Sequence, residues 1–91
     1  MIQITAVRLD GGDGHEHITH VMWTSGATAA ALTPSCGIVE WLLADGSNLA
    51  FVRDGRREVP VEVVRPAGGE AYLRTRYEGA WTDDLLALAR F

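Results

Sequence analysis

The stretch from Leu49 to Arg65 limits the possible folds more than any other part of the chain. Asp54-Gly55 is a strong hairpin turn, because glycine takes positive φ without steric cost and aspartate bonds its own local backbone. The flanking segments, Leu49–Arg53 and Glu58–Arg65, read as strands. In the second, Val59, Val61 and Val63 alternate with Pro60, Glu62 and Val64, the two-residue period of a strand with one buried face. A lone hairpin is marginal in water, so the rest of the chain must widen the sheet and cover it. Pro60 has no N–H to give to a ladder, which places its strand at an edge.

Residues 1–9 read as another strand, with Ile2, Ile4 and Ala6 alternating against Gln3, Thr5 and Val7. Asp10-Gly11-Gly12-Asp13-Gly14 is a turn, and His17–Trp23 returns as an antiparallel second strand. Ser25-Gly26 turns the chain again, and Ala29–Leu32 forms a short third strand. Thr33-Pro34 then opens a helix over Pro34–Ala44, with Thr33 as N-cap and proline where its missing N–H does no harm. Ile38, Trp41 and Leu42 share one face of it. Gly37 costs this helix about 1 kcal/mol relative to alanine, so it depends on packing against a sheet. Gly46 marks its end. After a turn at Pro66–Gly69, Glu70–Arg76 is a last strand. Trp81-Thr82-Asp83-Asp84 starts a short C-terminal helix, capped by Thr82, which Leu85, Leu86 and Leu88 pack down. The expected fold is a single small α+β domain over residues 1–91. It has a mostly antiparallel sheet of about five strands, one central amphipathic helix and a short C-terminal helix closing an edge.

Composition narrows the functional classes. Ninety-one residues fit one domain with a thin core, and 47% hydrophobic content is too much for disorder. No apolar run approaches the roughly 20 residues of a membrane-spanning helix; the longest, Ala27–Leu32 and Ile38–Ala44, soon meet polar residues. Met1-Ile2-Gln3-Ile4 lacks the basic start of a secretory signal. Cys36, the only cysteine, allows no intrachain disulfide and fits a reducing compartment, so a cytoplasmic location is expected. The net charge is −4, and all eight basic residues are arginine. Bulk charge therefore argues against general nucleic-acid binding, though it leaves room for a local basic patch.

Two constellations carry possible chemistry. In His15-Glu16-His17-Ile18-Thr19-His20, three imidazoles within six residues offer ligands for a metal such as zinc, with Asp10 and Asp13 nearby. On a strand, His15 and His17 share a face and His20 points away, and the spacing is not that of a helical His-Glu-x-x-His site. The same histidines can instead cap the glycine turn and bond backbone or acids. The second constellation is basic and aromatic: Tyr72, Arg74 and Arg76 fall on one strand face, beside Arg53, Arg56, Arg57 and Arg65 of the hairpin. Such a face can stack bases and grip phosphates. It can equally pair with Glu58, Glu62 and Glu70 across strands. Cys36, in the first turn of the helix, has no oriented base or oxyanion site beside it. The glycine turn lacks phosphate-loop spacing. Trp23, Trp41 and Trp81 are packing anchors, any exposed one marking a partner surface.

Ile4-Thr5-Ala6-Val7-Arg8, Ile18 with Val21, Tyr72-Leu73-Arg74-Thr75 and the tail Glu78–Phe91 together resemble a family of short bacterial proteins, domain of unknown function 3892. The resemblance covers most of the chain. Glu78, Asp84 and Ala89 stand where the family pattern usually has Asp, Asn and Pro. The resemblance implies a single domain and brings no activity with it. With no convergent catalytic set, the expected function is a non-enzymatic binding or regulatory module using a sheet face or edge. It needs no cofactor and no membrane, meets a protein partner, and is a monomer or homodimer. The alternatives are a nucleic-acid binder using Tyr72, Arg74, Arg76, Arg53 and Arg65, and a small metal-binding protein or enzyme using His15, Glu16 and His17.

Overall fold

A computed structural model of the chain describes residues 1–26 and 29–91. Among these residues lie β1 (Ile2–Leu9), β2 (Ile18–Thr24), β3 (Ala31–Pro34), α1 (Ser35–Ala44), β4 (Ala50–Asp54), β5 (Arg57–Val64), β6 (Tyr72–Tyr77), β7 (Ala80–Thr82) and β8 (Ala89–Arg90). A 3-10 turn at His15–His17 precedes β2. The strands make one sheet in the order β3-β2-β1-β4-β5-β6-β7, and β8 pairs with β1. β1 runs parallel to β4 and β8; every other pairing is antiparallel. The fold is α+β, as expected. Residues 27 and 28, the start of the apolar run before β3, lie outside the described residues. No helix among the described residues is long and apolar enough to cross a membrane.

The sheet has eight strands rather than about five, and no C-terminal helix forms. One cause serves both corrections. Glu78 and Gly79 take φ of 51° and 83°, a tight left-handed turn that folds β7 straight back onto β6. Trp81 and Thr82, expected to start a helix, are therefore strand residues. Thr82 gives its hydroxyl to Thr75 Oγ1 (2.7 Å) instead of capping. Only residues 83–88 remain before β8, fewer than two helical turns, which is too short to hold a helix by itself. They wind as turns, Asp83 O accepting from the N–H groups of Leu86 (3.1 Å) and Ala87 (3.2 Å). This winding drives Leu85 into the core at 0% exposure and delivers β8 onto the second half of β1.

β1 departs from simple alternation as well. Between the pairs Ile4↔Trp23 and Ala6↔Met22 the register slips by one residue, leaving Thr5 as a bulge. The buried face thus reads Ile2, Ile4, Val7 rather than Ile2, Ile4, Ala6. A matching slip between Arg8↔His20 and Leu9↔Ile18 puts Thr19 in excess on β2, so Ile18 and Val21 share the inner face. Each bulged threonine bonds the opposite strand, Thr5 to Met22 O (3.4 Å) and Thr19 to Arg8 O (3.3 Å).

Pro60 is not on an edge: it faces Phe51 of β4, and β5 lies between β4 and β6. The ladder to β6 stops at Val61↔Thr75, one residue short of the proline, where the missing donor costs nothing. The inner face of the hairpin contributes Val52, Val59 and Val61 to one core with Ile4, Val7, Val21, Leu73 and Leu85. α1 closes that core with Ile38 and Val39. Its N-cap position is Pro34, without a side-chain cap, because the Thr33 hydroxyl accepts from Trp23 Nε1 (2.8 Å) instead. Its end is set less by Gly46 than by Asn48, whose Nδ2 donates to Trp41 O (2.8 Å). The Asp45 carboxylate accepts the Ser47 N–H and O–H (2.9 Å each), which holds it below the usual carboxylate range.

Candidate functional site

The alternation of β6 sends Leu73 and Thr75 inward and Tyr72, Arg74 and Arg76 outward, and the outer face of the hairpin adds Arg53. These side chains do not converge as a phosphate grip. Arg74 donates through Nε to Thr82 O (3.2 Å) and through Nη2 to Asp83 Oδ1 (3.1 Å). Glu62 sits directly across from it on β5. Arg53 pairs with Glu58 (3.1 Å) and covers the Phe51 ring at 5.6 Å. Arg76 lies over the half-exposed Trp81 ring at 5.2 Å, the one pair on this face that offers stacking surface to a ligand. Tyr72 turns toward a separate cleft, and Arg65 is exposed at the loop end of β5, just past Val64. Arg57 is held by Asp54 and lies over Tyr77 (4.7 Å). The Arg57 hydrogen bond keeps the Asp54 carboxyl below its usual range.

The histidines separate. They form the 3-10 turn instead of starting a strand, so His15 and His17 leave in different directions. His17 Nδ1 accepts the Gly14 N–H (3.1 Å) and stands 3.4 Å from Glu16 Oε1. Its ring fills the space over Gly12, where a Cβ would come within 2.4 Å of it. His15 points inward, 7% exposed, with Nε2 3.8 Å from Asp83 Oδ1 and no hydrogen-bond partner. Burial first, and the Arg74 charge second, push its pKa down from the ordinary 6.5, against weaker upward pulls from Asp83 and Glu16. Among the described residues no three His, Cys, Asp or Glu side chains gather as a metal site would need.

Two concavities among the described residues bear on the remaining candidates. The larger, about 770 Å³, lies between the start of β2, the first turn of α1 and the loop before β6. Cys36, Ser35, Glu16, Glu70 and Tyr72 line it, and the Ser35 hydroxyl is committed to Ile18 O (2.7 Å). Among the described residues no histidine or arginine lines it beside the Cys36 thiol. The second groove, about 430 Å³, opens between α1 and the β2–β3 hairpin. Its walls are Trp23, Trp41, Ile2, Ile38 and Met1, with Gly37 lowering the helix side. The Thr33 hydroxyl beside it is already taken by Trp23. No titratable side chain lines it. Met1 in this wall is 64% exposed, and the carbonyl of Leu49 (54% exposed) accepts the N–H of the wall residue Ile2 (2.9 Å).

The sequence marks the tryptophans only as packing anchors. That two of them flank a groove follows from the Trp23↔Ala31 pairing and the seating of α1, neither of which is periodic in sequence. Leu49, expected as the first residue of a strand, instead precedes β4 and is exposed.

Compared with known proteins, the chain matches no curated protein and no solved structure. A family model described as "Protein of unknown function (DUF3892)" matches residues 3–89, nearly the whole chain. The match takes in both the β1–β2 bulges and the β6–β7 turn, and the chain accordingly belongs to the DUF3892 family.

Proposed function

We propose that this domain is a non-enzymatic binding module. It takes an aromatic or branched aliphatic side chain of a protein partner into the Trp23–Trp41 groove. The observation that carries this reading is the wall itself: two half-buried tryptophans with Ile2, Ile38 and the exposed Met1, and no titratable side chain among the described residues. Such a surface rewards apolar burial. A groove of about 430 Å³ has room for one or two large side chains. Its open side favours a residue that belongs to a larger partner over an enclosed small molecule, and the exposed rim residues add contact area around the anchor.

The Arg/Tyr face supports a nucleic-acid reading less well, since Arg53 and Arg74 already hold acidic partners. The test uses N-acetyl-tryptophanamide and N-acetyl-leucinamide as side-chain probes at millimolar concentration, followed by two-dimensional NMR. Shifts should cluster at Ile2, Trp23, Gly37, Ile38 and Trp41 and vanish in Trp41→Ala. Shifts absent at saturating probe, or centred on Arg76 and Trp81, would overturn the proposal.

A further inference from the structure

We propose that His15 is an acid-sensitive latch: a proton taken up at Nε2 unseats the Asp10–His17 loop from β6 and from the segment that follows β7. The loop is fastened at two places. At its neck, Asp10 N–H donates to His17 O (3.0 Å), and His17 N–H donates to Gly14 O (2.9 Å). At its tip, the His15 ring is buried against β6, with Nε2 as the only buried side-chain polar atom among the described residues that lacks a partner. The charged groups facing it are Arg74 from β6, Asp83 from the segment after β7, and Glu16 from its own turn. His17, two residues on, is occupied by Gly14.

Asp83 is a shared carboxylate. Its Oδ1 already accepts from Arg74 Nη2 at 3.1 Å and lies 3.8 Å from His15 Nε2, beyond hydrogen-bond reach. A proton on Nε2 creates a buried cation with no acceptor within hydrogen-bond distance, so it must either draw Asp83, which Arg74 also holds, out of its present position or leave the site. Drawing Asp83 away also disturbs the turns that begin at its carbonyl and seat Leu85 and β8. Leaving is the cheaper route, because the loop carries three glycines and few buried groups besides His15.

The sign follows from the same contacts. Burial and Arg74 lower the pKa of His15 in the closed loop, so the opened loop binds the proton more tightly. Closure is at full strength above the ordinary value of 6.5. It weakens as pH falls through that value and stops weakening once the depressed pKa of the closed state is passed.

The experiment is amide hydrogen exchange on the whole chain from pH 7.5 to pH 5, corrected for intrinsic rates, together with an NMR titration of the His15 ring. Amides of residues 14–18 should lose protection several-fold as the pH falls, while those of β5 and β6 hold theirs. Asp83→Asn removes the pull that favours the proton, so the ring midpoint should drop and the loss should grow. Arg74→Gln should raise the midpoint and shrink the loss. His15→Gln should abolish the pH dependence. Loop protection flat with pH, an unchanged dependence in His15→Gln, or midpoints moving the same way in both charge variants would overturn the latch. Should His15→Gln not fold, the wild-type ring titration and the two charge variants still decide it.

Discussion

Leu85→Ala is the sharpest probe of how the chain is closed. Leu85 is 0% exposed although it sits in a run of turns, whereas Leu86 and Leu88 are only partly buried against the same core. Removing a fully buried leucine side chain costs about 2–5 kcal/mol, the spread reflecting how far the site collapses. The turns around Leu85 are less rigid than a strand, which places the loss near 3 kcal/mol. A domain of this size holds roughly 5–14 kcal/mol in total, so the variant still folds and can be measured. Urea unfolding followed by tryptophan fluorescence gives the difference from the shift in midpoint at constant slope. Thermal melts should fall by about 12–24 °C, at roughly 4–8 °C per kcal/mol. Leu86→Ala should cost about 1 kcal/mol. In a helix starting at Trp81, Leu85 and Leu88 would share a face and lose similar amounts. Equal losses at Leu85 and Leu88, or a larger one at Leu86, would refute the turn-and-strand ending.

Other substitutions probe single contacts. Asn48→Ala removes the amide that satisfies Trp41 O at the end of α1 and should cost about 1 kcal/mol in urea unfolding. Glu78→Asn should raise the melting temperature, by an amount equivalent to about 0.5–1 kcal/mol, because asparagine tolerates the left-handed φ of 51° better than glutamate. Thr75→Val should cost about 1–3 kcal/mol, since the buried hydroxyl donates to Thr82 O (3.1 Å) and accepts from Thr82 Oγ1. The double variant with Thr82→Val should cost less than the two single losses added together, a coupling that a double-mutant cycle reads directly.

The hairpin around Asp54-Gly55, the strand before the glycine turn and the helix over 35–44 are legible in the sequence, because each repeats a period or carries a turn residue with one strong preference. What was hidden is of another kind. β7 and β8 are three and two residues long, too short for any period to register, and β3, expected over Ala29–Leu32, runs two residues later, over Ala31–Pro34. Thr5 and Thr19 shift the phase of β1 and β2 without any local mark. Thr33 and Thr82 have the composition of helix caps, but tertiary partners, Trp23 and Thr75, claim their hydroxyls. The same competition decides the candidate residues. Arg53, Arg74 and the His15–His17 turn were visible as residue types, while their commitment to Glu58, Asp83 and Gly14 depends on neighbours distant in sequence or on the tight turn between them.

β1 meets β4 along its first half and β8 along its second. β1 is therefore completed only by residues 89–90, so during synthesis it waits for more than eighty further residues before its last partner is made. Such closure joins opposite ends of the sequence, and the entropy of bringing them together is spent before the pairing returns anything. A nascent chain halted before residue 85 would hold β1 half-paired, with Val7 and Val21 lacking Leu85 above them. That is a window in which an exposed strand edge can seize a neighbouring chain instead of its own tail.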